Sequence, residues 1–335
     1  MTGFYLFLFL ISCSLLIFAG NLLVKSLSRI SEFLGWKEFT VSFFLMSLAT
    51  ASPELFVGGS SAFREASELS LGNIIGQNII HFTLATAICV FLRGGFSIRS
   101  KTTRLTAWFA GFMAILPLLL IIDGGLSRVD GFLLIFSFFA YIFWLMERKE
   151  RFEKKFVRYF NGKKKHSLSE KISIFFKDFG SFFMAAALLV ISSQGIVASS
   201  VFFADLINMP LVVIGALIVS LGTALPEIYF SALAAEKGKG DLMAGNLFGS
   251  TVVSTSLVLG LVAVISPISG IATPSYLTSR LFLFLSVALF IYFMATGRKI
   301  SIKEASILLL VYIVYVLFEI SLAGFPVLSW FFAKF

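Results

Sequence analysis

Two acidic residues stand where the surrounding sequence should exclude them. Glu54 falls in an apolar run near 38–62 and Glu227 in one near 211–234. An ionisable group at membrane depth is costly, so it normally faces a cavity and a partner. Each acid follows a proline, in Ser52-Pro53-Glu54 and Leu225-Pro226-Glu227. Proline lacks an amide donor and frees the carbonyl one turn back, here that of Ala49 or Gly222. A carboxylate beside freed carbonyls makes an all-oxygen site. That donor set suits hard cations such as Ca²⁺ and, by the same reasoning, Na⁺. Thr50 and Ser47 precede Glu54 on one helix face, as Thr223 and Ser220 precede Glu227. Asn73, Gln77 and His81 then recur at every fourth residue, and so do Asn246, Ser250 and Ser254. Each set lines one helix face, and together these side chains are the expected cation ligands. Other roles compete for some of them. Ser and Thr hydroxyls in helices often bond back to their own backbone. Gly72-x-x-x-Gly76 and Gly245-x-x-x-Gly249 have the spacing of close helix packing.

The composition says what carries these residues. Of 335 residues, 58% are hydrophobic and 13% charged, with a mean hydropathy of +0.97. Soluble domains run nearer 45–50% apolar and about 25% charged, so a soluble enzyme and a disordered chain are both excluded. Forty-one phenylalanines suit lipid-facing helix surfaces. Spans of about 20 residues fit ten apolar stretches near 3–24, 38–62, 71–92, 105–122, 129–146, 179–201, 211–234, 243–265, 281–296 and 305–323. The first is read as a span, not a removed signal peptide, because no basic segment precedes it. Of the 27 Lys and Arg residues, 23 fall in the odd-numbered loops. That asymmetry places those loops in the cytoplasm and both termini outside the cell membrane. It also accounts for the net charge of +9 without any nucleic acid. Cys13 and Cys89 sit in apolar segments, which gives no disulfide framework.

The segment 147–178 is the one long polar stretch. It reads as a basic cytoplasmic linker, a tether or a lipid-touching segment, between a first half, 1–146, and a second, 179–335. An offset of 173 carries SLATASPE at 47–54 onto SLGTALPE at 220–227 with six of eight residues identical. The same offset carries Gly72, Asn73 and Gly76 onto Gly245, Asn246 and Gly249. Each half has five spans, and two odd halves must enter the membrane from opposite sides. The expected fold is therefore an all-α polytopic membrane protein, ten transmembrane helices arranged as two inverted five-helix repeats. Secondary transporters share that plan, with the site at the midplane.

With SLATASPE, SLGTALPE, GNIIGQN and GNLFGST in view, the chain resembles the sodium/calcium exchanger family of the cation/calcium antiporter superfamily. The resemblance implies helices two, three, seven and eight around the site and exchange of Ca²⁺ for Na⁺. It implies Ca²⁺ bound by Glu54 and Glu227, with Thr50, Thr223, Ser47, Ser220 and Ser250 supplying further oxygens. It implies no cofactor and no catalytic residues: inorganic cations are the cargo, membrane lipid is the surround, and the chain acts as a monomer or homo-oligomer. Departures from the family pattern are Ala51 and Ala224 where a hydroxyl is usual, Gln77 where Ser is usual, and His81 and Ser254 where Asn or Asp is common. They leave open a cation/proton antiporter using Glu54, Glu227 and His81, or a paralogue that no longer transports.

Overall fold

The computed structural model describes residues 1–33, 51–97, 101–147, 168–236, 238, 240–269, 274–297 and 299–322. The helices are α1 (Thr2–Phe33), α2 (Ser52–Phe63), α3 (Ser67–Arg93), α4 (Lys101–Leu120), α5 (Arg128–Glu147), α6 (Leu168–Ile207) and α7 (Leu211–Glu236). Gly240–Val252, Val253–Val258 and Leu259–Ile265 run on as α8, followed by α9 (Pro274–Gly297) and α10 (Ile302–Leu322). Among the described residues, nine helices are long and apolar enough to cross a membrane. The remaining expected span, 38–62, is described only from residue 51 onward. Two helices outrun their expected bounds. α1 continues to Phe33, and α6 begins at Leu168, inside the stretch expected to be linker. At 1.5 Å per residue the 40 residues of α6 reach about 60 Å, well beyond a hydrocarbon core of about 30 Å.

The offset of 173 extends far past the matching motifs. It carries the bounds of α2, α3, α4 and α5 onto the C-terminal part of α7 and onto α8, α9 and α10 within a few residues. Even the π-helical turn His81–Ala85 inside α3 recurs as Val253–Val258 inside α8. Packing obeys the same relation. α3 lies against α9 and α10, as α8 lies against α4 and α5, and α1 lies along α6.

Short strands show that the repeats are inverted. β1 (Phe96–Ser97) follows α3, and β2 (Gly125–Leu126) joins α4 to α5. β3 (Ile268–Ser269) follows α8, and β4 (Lys299–Ile300) joins α9 to α10. β1 pairs antiparallel with β4, and β2 with β3. Successive spans alternate direction, so β1 and β4 share one face of the bundle and β2 and β3 the other. The repeat-equivalent strands β1 and β3 therefore sit at opposite faces. α3 and α8 form the centre, with 83% and 78% of their span residues buried against 22–28% for α1, α5 and α10. Phe132, Phe136 and Phe143 of α5 point outward, as a lipid-facing surface requires.

Candidate cation site

Close backbone contact sets the geometry. A methyl group added at Gly72 would run into the carbonyl of Val212, and one at Gly76 into that of Ala216. Glycine lets α3 and the start of α7 touch main chain to main chain, as small residues do at membrane helix interfaces. The packing role considered for this GxxxG pair is therefore real. It also brings Asn73 of the first repeat to Thr223 of the second, whose hydroxyl donates to Asn73 Oδ1 at 3.0 Å.

Glu54 and Glu227 are both fully buried. Gln77 Nε2 donates to Glu54 Oε1, and Ser250 Oγ donates to Glu227 Oε1 at 3.1 Å. These are repeat-equivalent pairs, with an amide in one half and a hydroxyl in the other. The two carboxylates repel one another, and the Thr223 hydroxyl faces Glu54. Asn246 Nδ2 donates to Ser231 Oγ at 3.1 Å and to the Glu227 carbonyl at 3.4 Å. Pro226 lies inside α7 and leaves the Gly222 carbonyl without its helical donor.

The second oxygens are informative. Glu54 Oε2, Glu227 Oε2, Gln77 Oε1 and Asn246 Oδ1 are buried and receive no hydrogen bond from the described residues. Buried acceptors normally find donors. Four that do not, two of them on carboxylates, are oxygens of the chemical kind that hard cations take. Among the described residues no three His, Cys, Asp or Glu side chains gather into a metal-binding group, so amide and hydroxyl oxygens would have to complete the shell.

The remaining candidates divide. Ser220 donates back to the Ala216 carbonyl at 2.6 Å, and Ser254 back to that of Thr251 at 3.3 Å. Those hydroxyls can offer a cation only their lone pairs. His81 Nδ1 meets Thr251 Oγ1 at 3.0 Å. The Thr251 hydroxyl itself donates to the Leu247 carbonyl at 3.0 Å, so it accepts from His81 and Nδ1 carries the hydrogen. His81 Nε2 is buried and bare. Thus Asn73, Gln77 and His81 share one helix yet address three different partners, on α7, α2 and α8. Ser47 and Thr50 lie outside the described residues. Sequence reasoning missed Ser231, Thr251 and the Asn78–Thr255 bond of 2.9 Å. Asn78 and Thr251 end the two repeated motifs at equivalent positions, one residue off the stripe of four, whereas Ser231 and Thr255 answer to Gly58 and Phe82 in the first half; the helix crossings bring them to their partners.

Residues 4–147 and 177–321 match the protein family described as sodium/calcium exchanger protein. The sodium/calcium exchanger MaX1 of Methanosarcina acetivorans is 28% identical over 354 residues, covering 90% of this chain and 94% of its own. The inner membrane protein YrbG of Escherichia coli is 25% identical over 267 residues, covering 78% of this chain and 79% of its own. Among solved structures, the H⁺/Ca²⁺ exchanger CAX superposes with a TM-score of 0.76 at 16% identity, over 97% of this chain and 86% of that one. The sodium-calcium exchanger NCX_Mj superposes at 0.62 with 20% identity, over 94% and 99%.

Proposed function

The chain belongs to the sodium/calcium exchanger family, and we propose that within it this protein exchanges Ca²⁺ for Na⁺ across the cell membrane by alternating access. Glu54 and Glu227 are the central ligands in this reading. Thr223, Ser250, Gln77, Asn73 and Asn246 line the same site, Ser47, Thr50 and Ser220 contribute oxygens from the flanking turns, and His81 and Ser254 close its far end. The observation that carries the reading is the pair of fully buried, repeat-equivalent carboxylates. Each is held through one oxygen by a neighbouring helix and leaves the other without a donor. Two negative charges offset one Ca²⁺, and the same oxygens with the Gly222 carbonyl suit Na⁺. Helix ends and loops complete the proposal: halves 1–146 and 179–335, the linker 147–178 and the other odd loops in the cytoplasm, and both termini outside.

Radioactive calcium uptake into proteoliposomes under an imposed Na⁺ or pH gradient tests it. Uptake driven by outward Na⁺ and indifferent to the pH gradient is the expected result. Uptake driven by the pH gradient alone makes the protein a proton-coupled exchanger. No uptake under either gradient overturns the transport reading.

A further inference from the structure

A third acid lies at membrane depth, away from the central pair. Glu319 of α10 is fully buried, three residues before Leu322, the last described residue of that helix. It is thus about 5 Å from Leu322 along the helix. Ser279 of α9 donates to Glu319 Oε1 at 2.5 Å. Ser279 has then spent its hydrogen, so the Tyr315 hydroxyl 3.2 Å away is the donor to Ser279. Glu319 Oε2 has no partner among the described residues. Phe282 packs on both Tyr315 and Phe318, with ring centroids 5.5 and 5.9 Å apart, and keeps the surround apolar.

A carboxylate removed from water with one hydroxyl beside it needs a positive charge to meet it. Among the described residues, the titratable and charged groups near it do not supply one. On α10 these are Tyr312 and Tyr315, and a phenol carries no positive charge in either protonation state. On α9 they are Tyr276 and Arg280, and the Arg280 guanidinium is turned away, donating to the Leu118 carbonyl at 2.8 Å and lying over the Tyr276 ring at 5.5 Å. α3 also packs on α10 and carries His81, Cys89 and Arg93. His81 bonds to Thr251, and neither Cys89 nor Arg93 bonds to Glu319. A metal cation is poorly served as well. Ca²⁺ takes about six to eight oxygens, whereas among the described residues the one oxygen bonded to this carboxyl is that of Ser279.

The first repeat shows what the fold itself requires. Thr106 stands at the place of Ser279, and the Tyr141 hydroxyl reaches it at 3.4 Å, one residue out of step with Tyr315. The place of Glu319 is taken by Met146. The hydroxyl pair is thus common to both hairpins, and the acid is an addition to one.

We propose that Glu319 is a proton-binding site on the α9–α10 hairpin, separate from the central carboxylates, with Ser279 and Tyr315 orienting the carboxyl that takes the proton. The step is simple. Water at the near membrane face supplies H⁺, which adds to Glu319 Oε2, and the buried carboxylate becomes a neutral carboxylic acid.

Infrared spectroscopy of the purified full chain tests this without relying on transport. In a Glu54→Gln, Glu227→Gln background, the carbonyl stretch of protonated carboxyl groups is recorded across a pH titration, with and without Glu319→Gln. The expected result is a carboxylic-acid band that Glu319→Gln removes and that Na⁺ and Ca²⁺ leave unchanged. Identical spectra with and without Glu319 overturn the proposal. A band that disappears on adding Na⁺ or Ca²⁺ also overturns it, because the carboxyl then binds that cation. Glu319→Met, the residue of the first repeat, provides the same comparison if the Gln variant fails to fold.

Discussion

Replacing Glu227 by Gln changes charge and little else. The amide has the same shape and keeps an oxygen that can accept the Ser250 hydroxyl, now 3.1 Å from the carboxylate. What is lost is one of two negative charges in a fully buried site. Breaking a buried charge constellation by removing one member costs about 3–5 kcal/mol. At about 1.4 kcal/mol per decade, Ca²⁺ affinity should fall by two to three and a half decades. Ser250→Ala keeps the charge and deletes one hydrogen bond to it, a loss of about 1.5–3 kcal/mol, or one to two decades. The structure therefore ranks Glu227→Gln as the more severe. It gives Glu54→Gln the same rank, because Gln77 holds Glu54 as Ser250 holds Glu227. Folding should not suffer in either neutral variant, since each relieves the repulsion between the two acids. Equilibrium calcium binding to purified protein measures the ranking, and initial uptake rates into proteoliposomes measure its consequence. A Glu227→Gln protein that binds Ca²⁺ and exchanges it like the parent refutes the assignment. So does a Ser250→Ala protein that is worse than Glu227→Gln.

Gly76→Leu drives a side chain into the Ala216 carbonyl, an overpacking that costs about 1–3 kcal/mol or more; thermal unfolding in detergent should show a clear drop, and an unchanged midpoint would mean that α3 and α7 do not touch there. Thr223→Val leaves Asn73 Oδ1 without its donor, a penalty of about 1–3 kcal/mol, read as lost stability together with weaker Ca²⁺ binding. A cysteine at Asn161, in a background with Cys13 and Cys89 replaced by Ala, should resist impermeant thiol reagents added to intact cells; labelling from outside would reverse the proposed topology.

Much of the architecture was legible because the repeat is written in residues that cannot drift freely. Proline before an acid is tied to geometry and aligns at 173; the glycines align too, although Gly72 and Gly76 touch backbone and Gly245 has open space beside it. Apolar helix surfaces keep only their hydrophobicity, which is why the full lengths of α4 and α9 became comparable only in three dimensions. The bounds of α6 were misjudged for a related reason. The stretch from Leu168 is charged enough to read as linker, yet Lys and Glu are good helix formers wherever a helix runs into water. Side-chain partners were less legible than faces. Spacing of four places Asn73, Gln77 and His81 on one stripe, but the neighbours are chosen by how α3 crosses α2, α7 and α8. Glu319 was readable by the rule that singled out Glu54 and Glu227, and it was passed over because no acid stands at its repeat-equivalent position.

The asymmetry between halves bears on how the proposed exchange would run. In an inverted repeat, the inward-open and outward-open forms are approximately the same structure with the halves exchanged. Were the site residues identical, both forms would bind a given cation alike. Here an amide stands against Glu54 and a hydroxyl against Glu227, and the next stripe position is imidazole in one half and hydroxyl in the other. The ligand set offered to each side of the membrane therefore differs, and a difference in binding free energy between two states is what shifts their populations. Substituting Gln77 by Ser makes the two halves more alike at that position. It should bring the Ca²⁺ affinities measured from the two faces of oriented vesicles closer together. Affinities that stay as far apart as in the parent would place the sidedness elsewhere in the bundle.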